Sequence, residues 1–182
     1  MTIRDTPLKD VYIIEPEVFK DDRGYFFESY NQEKTKNTIL ESYNWVQENE
    51  SKSTKGVLRG LHFQKGNFSQ AKLVRVILGE VFDVAVDLRK DSPSFGKWYG
   101  VTLSEENKHQ FLIPRGFAHG FLVLSDEAIF SYKCDNFYAP EYDSGIKYDD
   151  QTLKIDWPLD TDSYLLSQKD QQLNTFENSY KF

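Results

Sequence analysis

The sequence has one cysteine, no long apolar run and no apolar N-terminal segment, and each of these features excludes a class of structure or location. Cys134 is the only cysteine among 182 residues, so no disulfide can form within the chain. No apolar run approaches the roughly 20 residues of a membrane span. Residues 1–10 are mixed and polar, without the apolar centre of a signal peptide. We therefore expect a soluble cytoplasmic protein with no membrane partner.

Basic charge is also in short supply. The 22 Lys and Arg residues stand against 29 Asp and Glu, which gives a formal net charge of −7. General nucleic-acid binding needs a basic face that displaces counterions, so it is not expected here. A small phosphate-bearing ligand is compatible with the balance, because it needs only a local cluster of Arg and Lys.

Aromatic residues, by contrast, are abundant at 15%, and most are Phe and Tyr, which favour strands. The clearest strand is Val81–Leu88, where residues alternate between two faces. The two-residue link Gly79-Glu80 before it predicts a hairpin with Leu73–Leu78. Residues 121–124 and 128–134 predict a similar pair, with Tyr132 on the inward face of Phe130. The other predicted strands are Val11–Ile14, Arg23–Tyr30, Asn44–Glu48 and Val57–Gln64.

Helical signals are few. Asn31–Leu40 is compatible with one short helix, and Ser167 with Asp170 resembles a capping box that opens a C-terminal helical segment over about residues 165–182. Many short strands with few helices predict one all-β domain over residues 1–182. Its class would be a jelly-roll (cupin-like) β-sandwich or barrel with a few short peripheral helices. Pro114–His119 carries the P-x-G-x-x-H pattern of the cupin superfamily.

His62 is the best candidate for chemistry among the three histidines, the others being His109 and His119. A metal-binding cupin typically presents an H-x-H pair, but Phe63 and Gln64 follow His62, so the second histidine is missing. An unperturbed imidazole, with a pKa of about 6.5, suits general-base catalysis without a metal. A structural histidine in the core and a metal site built from His62, His119 and a carboxylate remain the alternatives.

Basic residues near His62 could cradle a phosphate and a carbonyl group, namely Arg59, Lys72 and Arg75, with Arg23 at another strand start. In a regular strand Arg59 and His62 face opposite sides. Gly60 lies between them and permits a bulge that would redirect one of the two side chains.

Several long motifs in a fixed order carry a resemblance to one family. The chain resembles the dTDP-4-dehydrorhamnose 3,5-epimerases over about residues 11–170. This implies a homodimer of jelly rolls with strand exchange, no cofactor and no metal. It also implies conversion of dTDP-4-dehydro-6-deoxy-D-glucose to dTDP-4-dehydro-L-rhamnose by inversion at C3 and C5. The matching segments are Leu58–Gln64, Lys72–Arg75, Gly79–Arg89, Ser92–Gly96, Ile113–Phe121 and Ile155–Pro158.

The same resemblance implies roles for individual residues. His62 matches the catalytic base, Tyr132 the acid on the opposite face, and Asp170 a carboxylate that pairs with His62, although Asp170 could instead serve only the capping box. Asp83, which the alternation of its strand places on the face away from the core, is a second candidate partner for His62. The implied substrate-binding residues are Arg59 and Lys72; Gln47, Glu48 and Asn49 on one strand; Arg23 and Glu28 reaching the nucleotide from the partner chain; Tyr138 stacking on thymine; and His119, Asp143 and Lys169.

Two of these positions depart from the family pattern, since Glu48 stands where relatives usually have Asp and Asp143 where they often have Glu. Three other functions stay open at this point. The chain could be an epimerase that inverts only C3 or uses another dehydro-sugar, a metal-dependent cupin, or a sugar-binding domain without catalysis.

Overall fold

The computed structural model describes all 182 residues except the side chain of Thr161. Two α-helices of one turn each, α1 (Gln32–Thr35) and α2 (Gln168–Gln171), accompany a chain built mainly of strands. The strands are β1 (Thr2–Asp5), β2 (Tyr12–Glu15), β3 (Phe19–Asp21), β4 (Gly24–Phe26), β5 (Gln47–Thr54), β6 (Leu58–Gln64), β7 (Lys72–Leu78), β8 (Glu80–Asp87), β9 (Trp98–Ser104), β10 (Gln110–Ile113), β11 (Phe117–Val123), β12 (Glu127–Cys134) and β13 (Asp143–Gly145).

Two antiparallel sheets face each other. One has the order β1-β2-β10-β7-β12-β5, the other β13-β6-β11-β8-β9, and β3 with β4 forms a separate ribbon. Apolar residues of both sheets fill the space between them, for example Val74 and Phe130 from the first and Val81 and Phe121 from the second. The predicted all-β, jelly-roll class with short peripheral helices is confirmed.

Both predicted hairpins are wrong. β7 pairs with β10 and β12, whereas β8 pairs with β9 and β11, so the two strands lie in opposite sheets. Gly79, at φ 77°, turns the chain between them, and a Cβ there would lie 2.1 Å from the carbonyl oxygen of Glu127. β11 and β12 are divided between the sheets in the same way. A two-residue link therefore serves here as a crossing between sheets.

The five-stranded sheet is buried on both faces. Val81 and Ala85 of β8 pack between the sheets. Val84 and Val86 pack in an outer cluster that includes Leu153, with the partly buried Trp157, Phe176 and Phe182 against it. Asp83, expected on the face away from the core, shares the face of Val81 and Ala85 and is fully buried.

The helices are shorter than predicted. Asn31 and Ser167 cap α1 and α2, so both predicted starts are confirmed. The helical segment expected over about residues 165–182 ends at Gln171, because the chain beyond it lies against the outer cluster. Asn174 forms a bridge with Ile146, and Phe182 donates its N–H to Leu88 O at 3.0 Å.

The polar sequence of β5 explains one error in the strand bounds. β5 reaches Thr54 instead of ending at Glu48, because it is an edge strand whose only neighbour is β12 and needs few apolar residues. Residues 23–30 contain only the short β4. β1, β3, β9, β10 and β13 were not predicted. None of the helices in the described chain is long and apolar enough to span a membrane.

Candidate active site

A cavity of about 330 Å³ opens at one end of the space between the sheets. Most of the predicted site residues line it, together with three that were not predicted to bind. The lining consists of Gln47, Asn49, His62, Phe63, Gln64, Gln70, Lys72, Tyr132, Tyr138, Asp143 and Lys169.

His62 projects into this cavity from β6 and pairs with Asp170 of α2. Its Nε2 lies 2.5 Å from Asp170 Oδ1, and the Asp170 side chain is 4% exposed. With Nε2–H donating to the carboxylate, the lone pair of the neutral ring lies on Nδ1. A carboxylate in this place fixes the ring and stabilises its charged form.

Ser167 holds the other oxygen of that carboxylate. Its Oγ donates to Asp170 Oδ2 at 2.7 Å and accepts the N–H of Asp170 at 3.1 Å. Burial raises the pKa of Asp170, but the hydrogen bonds from His62 and Ser167 outweigh it, so the pKa lies below its usual value. The helix cap and the pairing with His62 coexist, and sequence reasoning had recognised Ser167 only as a cap.

Tyr132 reaches the cavity from the opposite sheet, on β12. It shares the inward face with Phe130, as predicted, and lies directly across from Asn49 in the pairing with β5. Burial raises the pKa of Tyr132, while a hydrogen bond with Asn49 acts in the opposite direction. The hydroxyl therefore keeps its proton at neutral pH and can donate it.

Lys72, at the start of β7, lies beside Tyr132 with Nζ 5.7 Å from the ring centroid. Burial lowers the pKa of Lys72, and the nearby Cys134, Asp83 and Asp143 oppose that shift. Burial likewise raises the pKa of Cys134 to about 11. Lys72 thus places a basic group on the Tyr132 side of the cavity.

Asp83 pairs with His119 and not with His62, which corrects the second carboxylate partner considered for His62. His119 Nε2 lies 3.0 and 3.1 Å from the two oxygens of Asp83. Both residues are buried, because they project from β11 and β8 into the space between the sheets. Burial lowers the pKa of His119, with Asp83 opposing. His119 does not line the cavity, and its contact with a ligand stays a prediction.

The predicted bulge at Gly60 is present. β6 pairs His62 with His119 and Arg59 with Phe121, so three steps along β6 match two along β11. Gly60 has φ 119°, and a Cβ there would lie 2.6 Å from Gly120 Cα. Arg59 Nε donates to Ser53 Oγ at 3.1 Å, and the charge of Arg59 is close enough to lower the pKa of Tyr132. The bulge thus brings Arg59 towards the side of the sheet that His62 faces.

At the outer part of the cavity, three side chains are connected by polar contacts. Tyr138 donates its hydroxyl to Asp143 Oδ2 at 3.0 Å, and Lys169 Nζ forms an ion pair with the same oxygen. Lys169 precedes Asp170, so the mouth of the cavity is linked to the His62 pair through α2.

Arg59 and His119 do not line the cavity, and three further predicted binding residues lie away from it. Glu48 faces the other side of β5 from Gln47 and Asn49, because alternate residues of a strand point in opposite directions, and it bonds Lys133 Nζ at 2.7 Å. Arg23 pairs with Asp21 on the β3–β4 ribbon, and Glu28 pairs with Lys34. Their contacts with a substrate stay predictions.

A metal site is not built by these residues. No group of three or more His, Cys, Asp or Glu side chains that could hold a metal ion occurs in the part of the chain that the structure describes. His62 and His119 each have a carboxylate partner of their own. Metal-independent activity stays a prediction.

A jelly roll that presents a carboxylate-paired histidine and a protonated tyrosine in one polar cavity defines an acid–base enzyme of the cupin-like class. The chain belongs to the dTDP-4-dehydrorhamnose 3,5-epimerase family, whose model matches residues 5–178. It is therefore an isomerase.

Known proteins similar to the chain agree with this assignment. A dTDP-4-dehydrorhamnose 3,5-epimerase of Escherichia coli K12 is 54% identical over 97% of this chain and 95% of its own length. The crystal structure of such an enzyme from Elizabethkingia anophelis has a TM-score of 0.91 and 54% identity, over 98% of this chain and 97% of that one. A Legionella pneumophila 3,5-epimerase, solved in complex with dTDP-4-keto-L-rhamnose, has a TM-score of 0.93 and 49% identity, over 97% and 93%.

Proposed function

We propose that this chain inverts C3 and C5 of dTDP-4-dehydro-6-deoxy-D-glucose to give dTDP-4-dehydro-L-rhamnose, with His62 as the base and Tyr132 as the acid. The observation that carries the proposal is the placement of the two side chains. His62, which pairs with Asp170, and Tyr132 project from opposite sheets and line one cavity.

The ketone at C4 of the substrate explains why one base and one acid, His62 and Tyr132, suffice to invert C3 and C5. Hydrogens at C3 and C5 are acidic because their removal leaves an enolate with its charge on the C4 oxygen. Inversion requires that a proton leave one face of the sugar and a proton arrive on the other. A single group that returned the proton to its original face would leave the configuration unchanged.

In each inversion His62 Nδ1 takes the carbon-bound proton, and Tyr132 gives its hydroxyl proton to the opposite face. Asp170 stabilises the imidazolium that forms, and its lowered pKa keeps it ionised for that role. After one inversion His62 holds an extra proton and Tyr132 lacks one. Both must exchange with solvent before the second carbon reacts, so solvent hydrogen enters at each inverted centre.

Lys72 is the proposed cation for the C4 oxygen. Its ammonium group lies on the Tyr132 side of the cavity, where a positive charge lowers the energy of the enolate as it forms. Arg59 is placed to contact the substrate from the bulged part of β6.

The nucleotide would bind at the outer end of the cavity. Tyr138, with a half-exposed ring held by Asp143, is the proposed stacking partner of thymine. Lys169 and Asp143 would contact the sugar or the phosphates, and Gln47 and Asn49 would contact the substrate from β5.

A homodimer with strand exchange would complete this site. The β3–β4 ribbon exposes Phe19, Tyr25 and Phe26, which are 57%, 55% and 66% exposed, and such an apolar patch marks an interaction surface. Arg23 and Glu28 lie on or next to this ribbon and would reach the partner's nucleotide. Sedimentation equilibrium tests the dimer, since a monomer at micromolar concentration would contradict it.

The cytoplasmic location stays a prediction.

Proton NMR in deuterated water tests the reaction. We expect purified protein to exchange the C3 and C5 hydrogens of dTDP-4-dehydro-6-deoxy-D-glucose for deuterium and to form the L-rhamno product. His62→Ala should abolish both exchanges while substrate binding is largely retained. Exchange at C3 alone would favour an epimerase that inverts one centre, and absence of exchange would overturn the proposal.

A further inference from the structure

Gln64 is buried beside the cavity and bonds to backbone groups that flank Tyr138. It ends β6, two residues after His62, and is 3% exposed. Its Nε2 donates to the carbonyl oxygen of Phe137 at 3.1 Å, and its Oε1 accepts the N–H of Ala139 at 2.6 Å. The second Nε2 hydrogen goes to Phe68 O at 2.9 Å. One side-chain amide thus satisfies the peptide groups on both sides of Tyr138.

The segment that carries Tyr138 is held by hydrogen bonds and not by burial of its side chains. It follows β12 and is not part of a strand until β13 begins at Asp143. Phe137 is 64% exposed and Tyr138 52%, so burial of their side chains does little to hold the segment. Three other side chains also bond the segment: Gln47 Oε1 accepts the N–H of Tyr138 at 3.0 Å, Asp143 accepts the Tyr138 hydroxyl, and Asn136 Oδ1 accepts the N–H of Phe137 at 2.9 Å. Gln64 differs from them because it bonds to peptide groups on both sides of Tyr138.

We propose that Gln64 is a positioning residue for nucleotide binding: its amide holds the Phe137–Ala139 segment so that the Tyr138 ring stays at a set distance from His62. Because Gln64 and His62 belong to the same strand, the stacking group and the base are fixed to one rigid element. This inference rests on the proposed function, in which Tyr138 stacks on the base of the nucleotide.

A positioning role differs from a purely structural one in what its loss should affect. The three hydrogen bonds of Gln64 lead to the Tyr138 segment and to Phe68, and none leads to His62, Tyr132 or Asp170. Loss of the amide should therefore weaken nucleotide binding and leave proton transfer almost intact. Damage to the fold would lower both.

Gln64→Met tests the inference, since methionine has a similar length but forms no comparable hydrogen bonds. We expect the Kd for dTDP, measured by titration calorimetry, and the KM to rise about tenfold, the effect of roughly 1.4 kcal/mol. The kcat for C3 and C5 exchange should stay within about threefold. Gln64→Glu keeps the acceptor for Ala139 but loses both donated bonds, so its Kd should rise as well.

A double-mutant cycle connects the effect to Tyr138. In a Tyr138→Ala background, Gln64→Met should raise the Kd for dTDP no further. Ser125→Ala is a matched control, because Ser125 Oγ also bonds two backbone groups, Glu80 N–H and Glu127 O, at the far end of β12. The Kd of Ser125→Ala for dTDP should equal that of the unaltered protein.

An unchanged Kd in Gln64→Met would overturn the inference, as would a full additional loss in the Tyr138→Ala background. A parallel fall in kcat would assign Gln64 a structural role and overturn it too. If the unaltered protein fails to bind dTDP, the proposed function fails and this inference with it. If the unaltered protein binds dTDP and the variant binds it equally well, only the inference fails.

Discussion

His62 Nε2 lies 2.5 Å from Asp170 Oδ1, and this contact joins β6 to the single-turn helix α2 across 108 positions of sequence. A buried carboxylate so placed selects one orientation of the imidazole ring and stabilises it when it is charged.

Asp170→Asn should lower kcat by a factor on the order of 10² to 10⁴, because the amide neither stabilises the imidazolium nor selects the same tautomer. Deuterium exchange at C3 and C5 measures the effect. Asp150→Asn is the matched control, since Asp150 is also buried but accepts only backbone N–H groups away from the cavity. A kcat for Asp170→Asn within about threefold of the original would contradict the role given to Asp170.

Tyr132→Phe should impair inversion more than it impairs proton exchange. His62 can still remove a proton and return solvent deuterium to the original face, but the opposite face has lost its donor. Mass spectrometry of recovered substrate, compared with the yield of L-rhamno product, separates the two events. Equal loss of exchange and product would show that Tyr132 takes part in the abstraction step as well.

Ser167→Ala should lower kcat by about tenfold, because Asp170 loses the hydroxyl that fixes its second oxygen. It should also cost roughly 1 kcal/mol of stability through loss of the helix cap. Ser167→Thr keeps a hydroxyl that can both cap and donate, so it should recover most of kcat. If threonine restores the free energy of unfolding but not kcat, the orienting role is wrong.

The stability of the protein should depend on His119 below neutral pH. Burial lowers the pKa of His119 from 6.5 in spite of Asp83, so below that pH the unfolded chain binds a proton that the folded chain does not. Stability is therefore lost as the pH falls below about 6.5, by at most roughly 1.4 kcal/mol per pH unit.

His119→Gln replaces the titrating imidazole with an amide, which binds no proton in this pH range but can still donate a hydrogen bond to Asp83. Denaturant unfolding of both proteins between pH 7 and pH 5 gives the difference in free energy of unfolding. We expect the free energy of unfolding of the original protein to fall, relative to that of His119→Gln, as the pH falls. Curves that stay parallel over this range would show that His119 takes up its proton equally in both states.

The residue pattern predicted the fold class, which depends on local periodicity, whereas most residues of the cavity were predicted only through the family resemblance. Tyr132 could be assigned to the inward face from the alternation of β12 alone. The division of β7 and β8 between two sheets could not be predicted, since a two-residue link looks the same in a hairpin and in a crossing. The pairing of Asp83 with His119 was missed because the inward face of β8 was misassigned.

The glutamine at position 64 was missed for a related reason. Its role depends on Phe137 and Ala139, which lie more than 70 positions away in sequence. No periodicity marks a contact of that kind. The bulge at Gly60, by contrast, could be predicted, because Arg59 and His62 could meet one ligand only if the strand between them were irregular.

Gly60→Ala should destabilise the protein by about 2–4 kcal/mol. An alanine there combines a positive φ with a Cβ only 2.6 Å from Gly120 Cα and 2.7 Å from His119 O, both of them backbone atoms that cannot move aside cheaply. Gly66→Ala is the matched control, since Gly66 also has a positive φ, 56°, but open space around it. It should cost only about 1 kcal/mol.

The same pair of variants tests whether the bulge serves the site. Residual folded Gly60→Ala protein should have a raised KM, because a regular strand would turn Arg59 away from the side that His62 faces. Gly66→Ala should keep its KM, since a Cβ on Gly66, which begins a short 3-10 helix after β6, would meet no atom within 4 Å. Equal losses of stability in the two variants would show that the approach to Gly120 is relieved elsewhere and that the bulge is not held by this glycine.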